Sequence, residues 1–106
     1  MVSEQILRQA IQRIVDGFRP TQIILFGSQA RGTADERSDV DLLVICPTNG
    51  RKRDLMVAMD RALWGIGIAR DIIVLTPEEF ERDRHIPGTV ARPAWLEGRV
   101  LYDNAA

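Results

Sequence analysis

Two aspartates separated by one residue, Asp39 and Asp41 in SDVDLLV, stand where a polar segment turns into an apolar run. On an extended strand alternate side chains share a face, so both carboxylates point one way and Val40 the other. Side by side they repel, and a fold gains little from such a pair. A divalent cation removes the repulsion. Mg2+ suits the pair, because it takes hard oxygen ligands from one or two carboxylates and completes its shell with water and substrate phosphates. Two aspartates in a turn facing water fit the same letters. Upstream, FGSQARG directly follows another apolar run. Gly27 lets the backbone bend and a ligand approach closely, while exposed amides and the Ser28 hydroxyl can hold phosphate oxygens. Arg31 or Arg37 adds positive charge nearby. The plainer role for this stretch is a capped turn, with Ser28 as the cap and the arginine solvated. Asp71 opens ARDIIVL much as Asp41 opens DLLVI. If those strands are neighbours, three carboxylates meet at one end of a sheet, where two metal ions roughly 3.5–4 Å apart can clamp an in-line displacement at phosphorus. Asp71 is then the ligand of the activating metal and the proton acceptor. Taken alone, it is equally a polar residue at a strand start.

The elements that must carry these groups are legible in the hydrophobic pattern. Ile6, Leu7, Ala10, Ile11, Ile14 and Val15 repeat at helical spacing, predicting a helix from Ser3 to Asp16 with Ser3 as cap and Gly17 as terminator. Pro20 breaks that pattern, and TQIILF then reads as a short buried strand ending at Gly27. Ser28 to Gly32 is long enough for one helical turn, and the polar TADERS leads into the strand VDLLVIC. Arg51 to about Gly65 reads as a second long helix with a stripe of Leu55, Ala58, Met59, Ala62 and Leu63, and ARDIIVL is the third strand. Thr76, Pro77 and Glu79 have the spacing of a capping box with proline at the first helical position, opening a helix that runs to about Arg84. Val90 to Glu97 has helical composition interrupted by Pro93, and RVLYD reads as a short edge strand. The expected class is α/β (α+β), a mixed central sheet of three to four strands flanked by helices.

Composition narrows the function classes. A chain of 106 residues fits a single domain spanning residues 1–106. With 45% hydrophobic and 27% charged residues it has the balance of an ordinary soluble protein, with no apolar run of bilayer length. The charged N-terminal stretch lacks the pattern of a secretory signal, so a cytoplasmic location is expected. A net charge of -1 gives no global field to collect nucleic acid, so phosphate contacts must be local. The one cysteine, Cys46, cannot form an internal disulfide and reads as a small buried hydrophobe after LLVI. His85 has no second histidine with which to form a ligand pair, and a surface or cap role suits it. Arg51, Lys52 and Arg53 read as a solvated basic run at a helix start. Trp64 and Trp95 read as core or interface residues, and would indicate a partner surface if exposed.

Together, FGSQARGTADERSDVDLLV and the later ARDIIVL resemble the nucleotidyltransferase superfamily that includes DNA polymerase beta, and most closely its minimal nucleotidyltransferases of bacteria and archaea. The likeness runs from the first helix through LEGRVLYD and implies a nucleotidyltransferase fold. It implies that Gly27 and Ser28 hold nucleotide phosphates, with Arg31 and Gly32 completing that turn. Asp39 and Asp41 would bind metal, with Asp71 as the third carboxylate. The implied activity is transfer of a nucleoside monophosphate, AMP from ATP with Mg2+ (two ions), to a hydroxyl acceptor. Because the chain offers no second domain to grip the acceptor, a homodimer or a separate protein is expected to supply that surface. The minimal family is commonly encoded beside a small helical HEPN-type toxin whose tyrosine can be the acceptor. Two other functions fit less well: an antitoxin binding module that neutralises by contact without turnover, which the intact carboxylates oppose, and transfer to a small molecule such as an aminoglycoside, whose enzymes usually carry a further helical domain.

Overall fold

The computed structural model describes residues 2–34 and 38–105. Along the chain the elements are α1 (Glu4–Phe18), β1 (Gln22–Phe26), α2 (Ser28–Arg31), β2 (Val40–Ile45), α3 (Lys52–Ala62), β3 (Arg70–Leu75), α4 (Pro77–Asp83), α5 (Ala91–Glu97) and β4 (Arg99–Asp103). The strands form one sheet in the order β3-β2-β1-β4. β1 runs antiparallel to both β2 and β4, and β2 runs parallel to β3 with α3 as the crossover. This is the mixed, helix-flanked sheet the sequence predicts, with RVLYD as its β4 edge. No helix among the described residues is long and apolar enough to cross a membrane.

The two faces of the sheet bury different residues of the same strands. On one face Val40, Leu42 and Val44 of β2 pack with Ile72 and Val74 of β3 and with Leu7, Ala10, Ile14 and Met59 of α1 and α3. On the other, Leu43 and Ile45 join Ile24, Phe80, Ala91 and Ala94, so α4 and α5 close that side. A central strand covered on both faces has no polar alternation, which is why VDLLVIC is an almost unbroken apolar run. Each fully buried aliphatic side chain there contributes on the order of 1.5–3 kcal/mol. Cys46 extends the buried row, and burial pushes its thiol up, as suits a packing residue rather than a nucleophile.

The helix boundaries depart from expectation in instructive places. Ser3 caps α1 through the Ile6 amide, but the helix runs past Gly17 and ends at Arg19, whose φ of 50° is left-handed and whose N–H reaches the Val15 carbonyl. Pro20 sets the limit: the residue before a proline is disfavoured in the right-handed helical region, so the helix stops by Arg19. α3 is shorter than predicted and Ala58 of its stripe is exposed, whereas Met59 and Leu63 are buried. At Thr76 the capping box forms in full. Pro93 does not interrupt α5; it is the third residue of that helix, where an amide would have no intrahelical acceptor. The basic run at the start of α3 is not wholly solvated, since the Lys52 ammonium donates to Glu79 at 2.6 Å and ties α3 to α4.

Candidate active site

β-Strand pairing places the carboxylates. Phe26, Asp41 and Asp71 are register partners across β1, β2 and β3, so one row across the sheet carries two acidic side chains side by side. Partners in register share a face. Theirs is the face that buries Leu43 and Ile45 against α4 and α5 farther along β2. Asp71 therefore joins Asp41, as the neighbouring-strand condition required. Asp39 lies one residue before β2, outside the strand on which the sequence placed it, and is exposed. Burial holds the Asp41 carboxyl above its ordinary range, Asp71 and then Asp39 push it further, and the Arg31 guanidinium opposes them.

The glycine turn meets this row at the end of β1. Gly27 has φ 73° and ψ -154°, a conformation essentially restricted to glycine, and a Cβ built on it would overlap the Asp41 Oδ2. The absent side chain is what lets the carboxylate lie against the turn. Gly27 itself occupies the cap position of α2, and Ser28 is the first helical residue, so Ser28 is not the capping residue of the plainer reading. Gly32 closes α2 in the left-handed conformation at φ 75°, its N–H donating to the Ser28 carbonyl. Arg31 is exposed and lies 3.7 Å from Glu97 at the end of α5, linking the turn to that helix. Arg37 lies outside the described residues.

Gln29 is a residue that sequence reasoning passed over. It is 5% exposed, its Nε2 donates to the Ser38 carbonyl at 3.2 Å, and its Oε1 accepts from the Val2 amide at 3.2 Å. No compositional signal marks it; both of its partners come from elsewhere in the chain. His85 takes the surface role expected of it, packing edge-on to Trp95 at 4.9 Å between ring centroids, with Arg84 over the same indole. Trp64 is 85% exposed, so it is not a core residue.

The donor chemistry suits a hard divalent cation: carboxylate oxygens that repel one another, with the Asp41 carboxylate against the glycine turn. Among the described residues no group of three acidic, histidine or cysteine side chains is arranged to hold an ion by itself. Mg2+ does not ask for that, since it usually keeps several waters and binds through one or two carboxylates plus substrate phosphates.

A small mixed sheet with a glycine turn abutting a row of carboxylates defines a phosphoryl- or nucleotidyl-transfer scaffold. Residues 5–102 match the nucleotidyltransferase domain family, and the chain belongs to it. A Methanocaldococcus jannaschii protein described as a "Putative protein adenylyltransferase" is 30% identical over 105 residues, which cover 96% of this chain and 100% of that one. A second protein of the same organism and description is 46% identical over 52 residues, 49% of this chain and 34% of its own length. The crystal structure of a "putative nucleotidyltransferase" from Sulfolobus solfataricus superposes with a TM-score of 0.67 at 20% identity, covering 95% of this chain and 80% of that one, which establishes the shared fold.

Proposed function

We propose that this nucleotidyltransferase moves AMP from ATP to a hydroxyl acceptor with release of pyrophosphate. The observation that carries the reading is the single cross-strand row in which Asp41 and Asp71 face one another beside Gly27. In this reading the backbone at Gly27 and the amide and hydroxyl of Ser28 hold phosphate oxygens, with Arg31 adding charge and Gly32 keeping the turn closed. Asp39 and Asp41, with Asp71, would hold Mg2+, which when bound neutralises charge on the triphosphate. Asp71 accepts the acceptor's proton as its oxygen bonds to the α-phosphorus and the bond to pyrophosphate breaks. Positioning and charge stabilisation supply the rate, as in phosphoryl transfer generally.

The acceptor is proposed to be a tyrosine of a partner protein, a small helical HEPN-type toxin, with the partner or a second copy supplying the surface that grips it. The name shared by the two M. jannaschii relatives supports a protein acceptor. Labelled ATP incubated with the chain and a co-expressed HEPN-type partner, with and without Mg2+, tests this. Label on the partner only with Mg2+ and wild-type chain is expected. No transfer by wild type, together with full neutralisation of the partner by an Asp39→Ala, Asp41→Ala variant, would show a binding module instead.

A further inference from the structure

We propose that Gln29 is the positioning residue for Asp39, fixing that carboxylate relative to the glycine turn through the Ser38 carbonyl; this rests on reading Asp39 as a cation ligand. The carboxylates are not held equally. Asp41 is gripped on both sides, by Phe26 of β1 and Asp71 of β3. Asp39 precedes β2 and belongs to neither ladder. On its C-terminal side the backbone is anchored where the Val40 N–H donates to the Ala69 carbonyl at 2.9 Å. On its N-terminal side Gln29 Nε2 donates to the Ser38 carbonyl.

Several features suit Gln29 to this task. Its side chain is buried, which limits the water that can compete for the bond. The Val2 amide donates to its Oε1, which orients the side-chain amide so that the NH2 faces Ser38. Gln29 also follows Ser28 directly on α2, so one side chain couples the phosphate turn to the approach of Asp39. The β1–β2 register fixes the spacing from Gly27 to Asp41. Gln29 fixes the spacing from Ser28 to Asp39, which no strand pairing sets. Side chains that orient a metal ligand typically change metal affinity by about 10–100-fold when removed.

Mn2+ titrations of the metal-free protein with a non-hydrolysable ATP analogue, read by the EPR signal of free Mn2+, test the proposal. Gln29→Met keeps the length and removes the donor. Gln29→Leu removes both the donor and the acceptor at similar volume. Both are expected to bind Mn2+ about 10–100-fold more weakly and to raise the Mg2+ needed for half-maximal transfer while kcat at saturating Mg2+ stays near wild type. Val2→Pro, which removes the orienting bond but keeps the Gln29 donor, is expected to weaken Mn2+ binding less than Gln29→Met does. Wild-type affinity in either folded Gln29 variant overturns the proposal, as does loss of folding in both, because packing alone would then explain the burial. Wild-type protein that binds no Mn2+ overturns the cation reading itself, and this inference with it.

Discussion

Gly27→Ala is the sharpest perturbation of the site. The backbone at Gly27 sits at φ 73°, ψ -154°, and holding a side-chain-bearing residue in such a glycine-only region costs of order 1–3 kcal/mol. The added methyl also overlaps the Asp41 Oδ2, so that carboxylate must withdraw from the turn. A midpoint penalty of about 2 kcal/mol lowers Tm by roughly 8–16 °C in a domain of this size, and misplacing a reacting group by about 1 Å costs on the order of 100-fold in rate. Strain and collision can be separated. In an Asp41→Ala background the oxygen is gone, so Gly27→Ala should cost only its backbone strain, and a double-mutant cycle in urea should give a coupling of about 0.5–3 kcal/mol. A penalty equal in both backgrounds, or a Gly27→Ala protein with wild-type Tm and transfer rate, would refute the claim that this glycine makes room for the carboxylate.

Asp41→Asn separates stability from chemistry. Burial, then Asp71 and Asp39, hold the Asp41 carboxyl above its ordinary 3.8, so the folded protein binds this proton more tightly than the unfolded chain. Metal-free stability therefore falls as pH rises from 3.8 through the raised value. The asparagine variant should lose that dependence and melt higher than wild type at neutral pH in EDTA while failing to transfer AMP; a lower urea midpoint would contradict the repulsion argument. Glu79 behaves oppositely: the Lys52 ammonium and the Thr76 amide hold it at about 2 against an ordinary 4.5, so its contribution is present above 4.5 and is lost as pH falls toward about 2. Glu79→Gln should flatten that acid limb at a cost of up to about 1 kcal/mol near neutrality, measured by urea midpoints across the acid range.

What the sequence made legible follows from how local each signal is. The β2 strand, its paired aspartates and the Thr76 capping box are written in adjacent letters, and they stand where those letters put them. The partnership of Asp41 with Asp71 depends on a contact across thirty positions, yet the repeated pattern of one acid opening an apolar run was enough to suggest it. Gly17 misled because glycine is the usual helix stop, whereas the helix runs on to the limit that Pro20 sets at Arg19. Pro93 misled for the converse reason: its effect depends on where the helix begins, which the letters around Val90 do not mark. Gln29 was out of reach, since its importance arises only when the chain comes back to it at Ser38.

The alternation along β2 has a further consequence for how such a domain can change over generations. Val40, Leu42 and Val44 face the α1 and α3 side and are almost wholly enclosed, while Asp41 stands among them on the opposite face, at the rim. The packing of this short strand on α1 and α3 thus rests on positions that alternate with Asp41. A substitution at Asp41 leaves that enclosed row untouched, so on the role proposed for this carboxylate a silent protein with an intact scaffold lies one residue away from the active one.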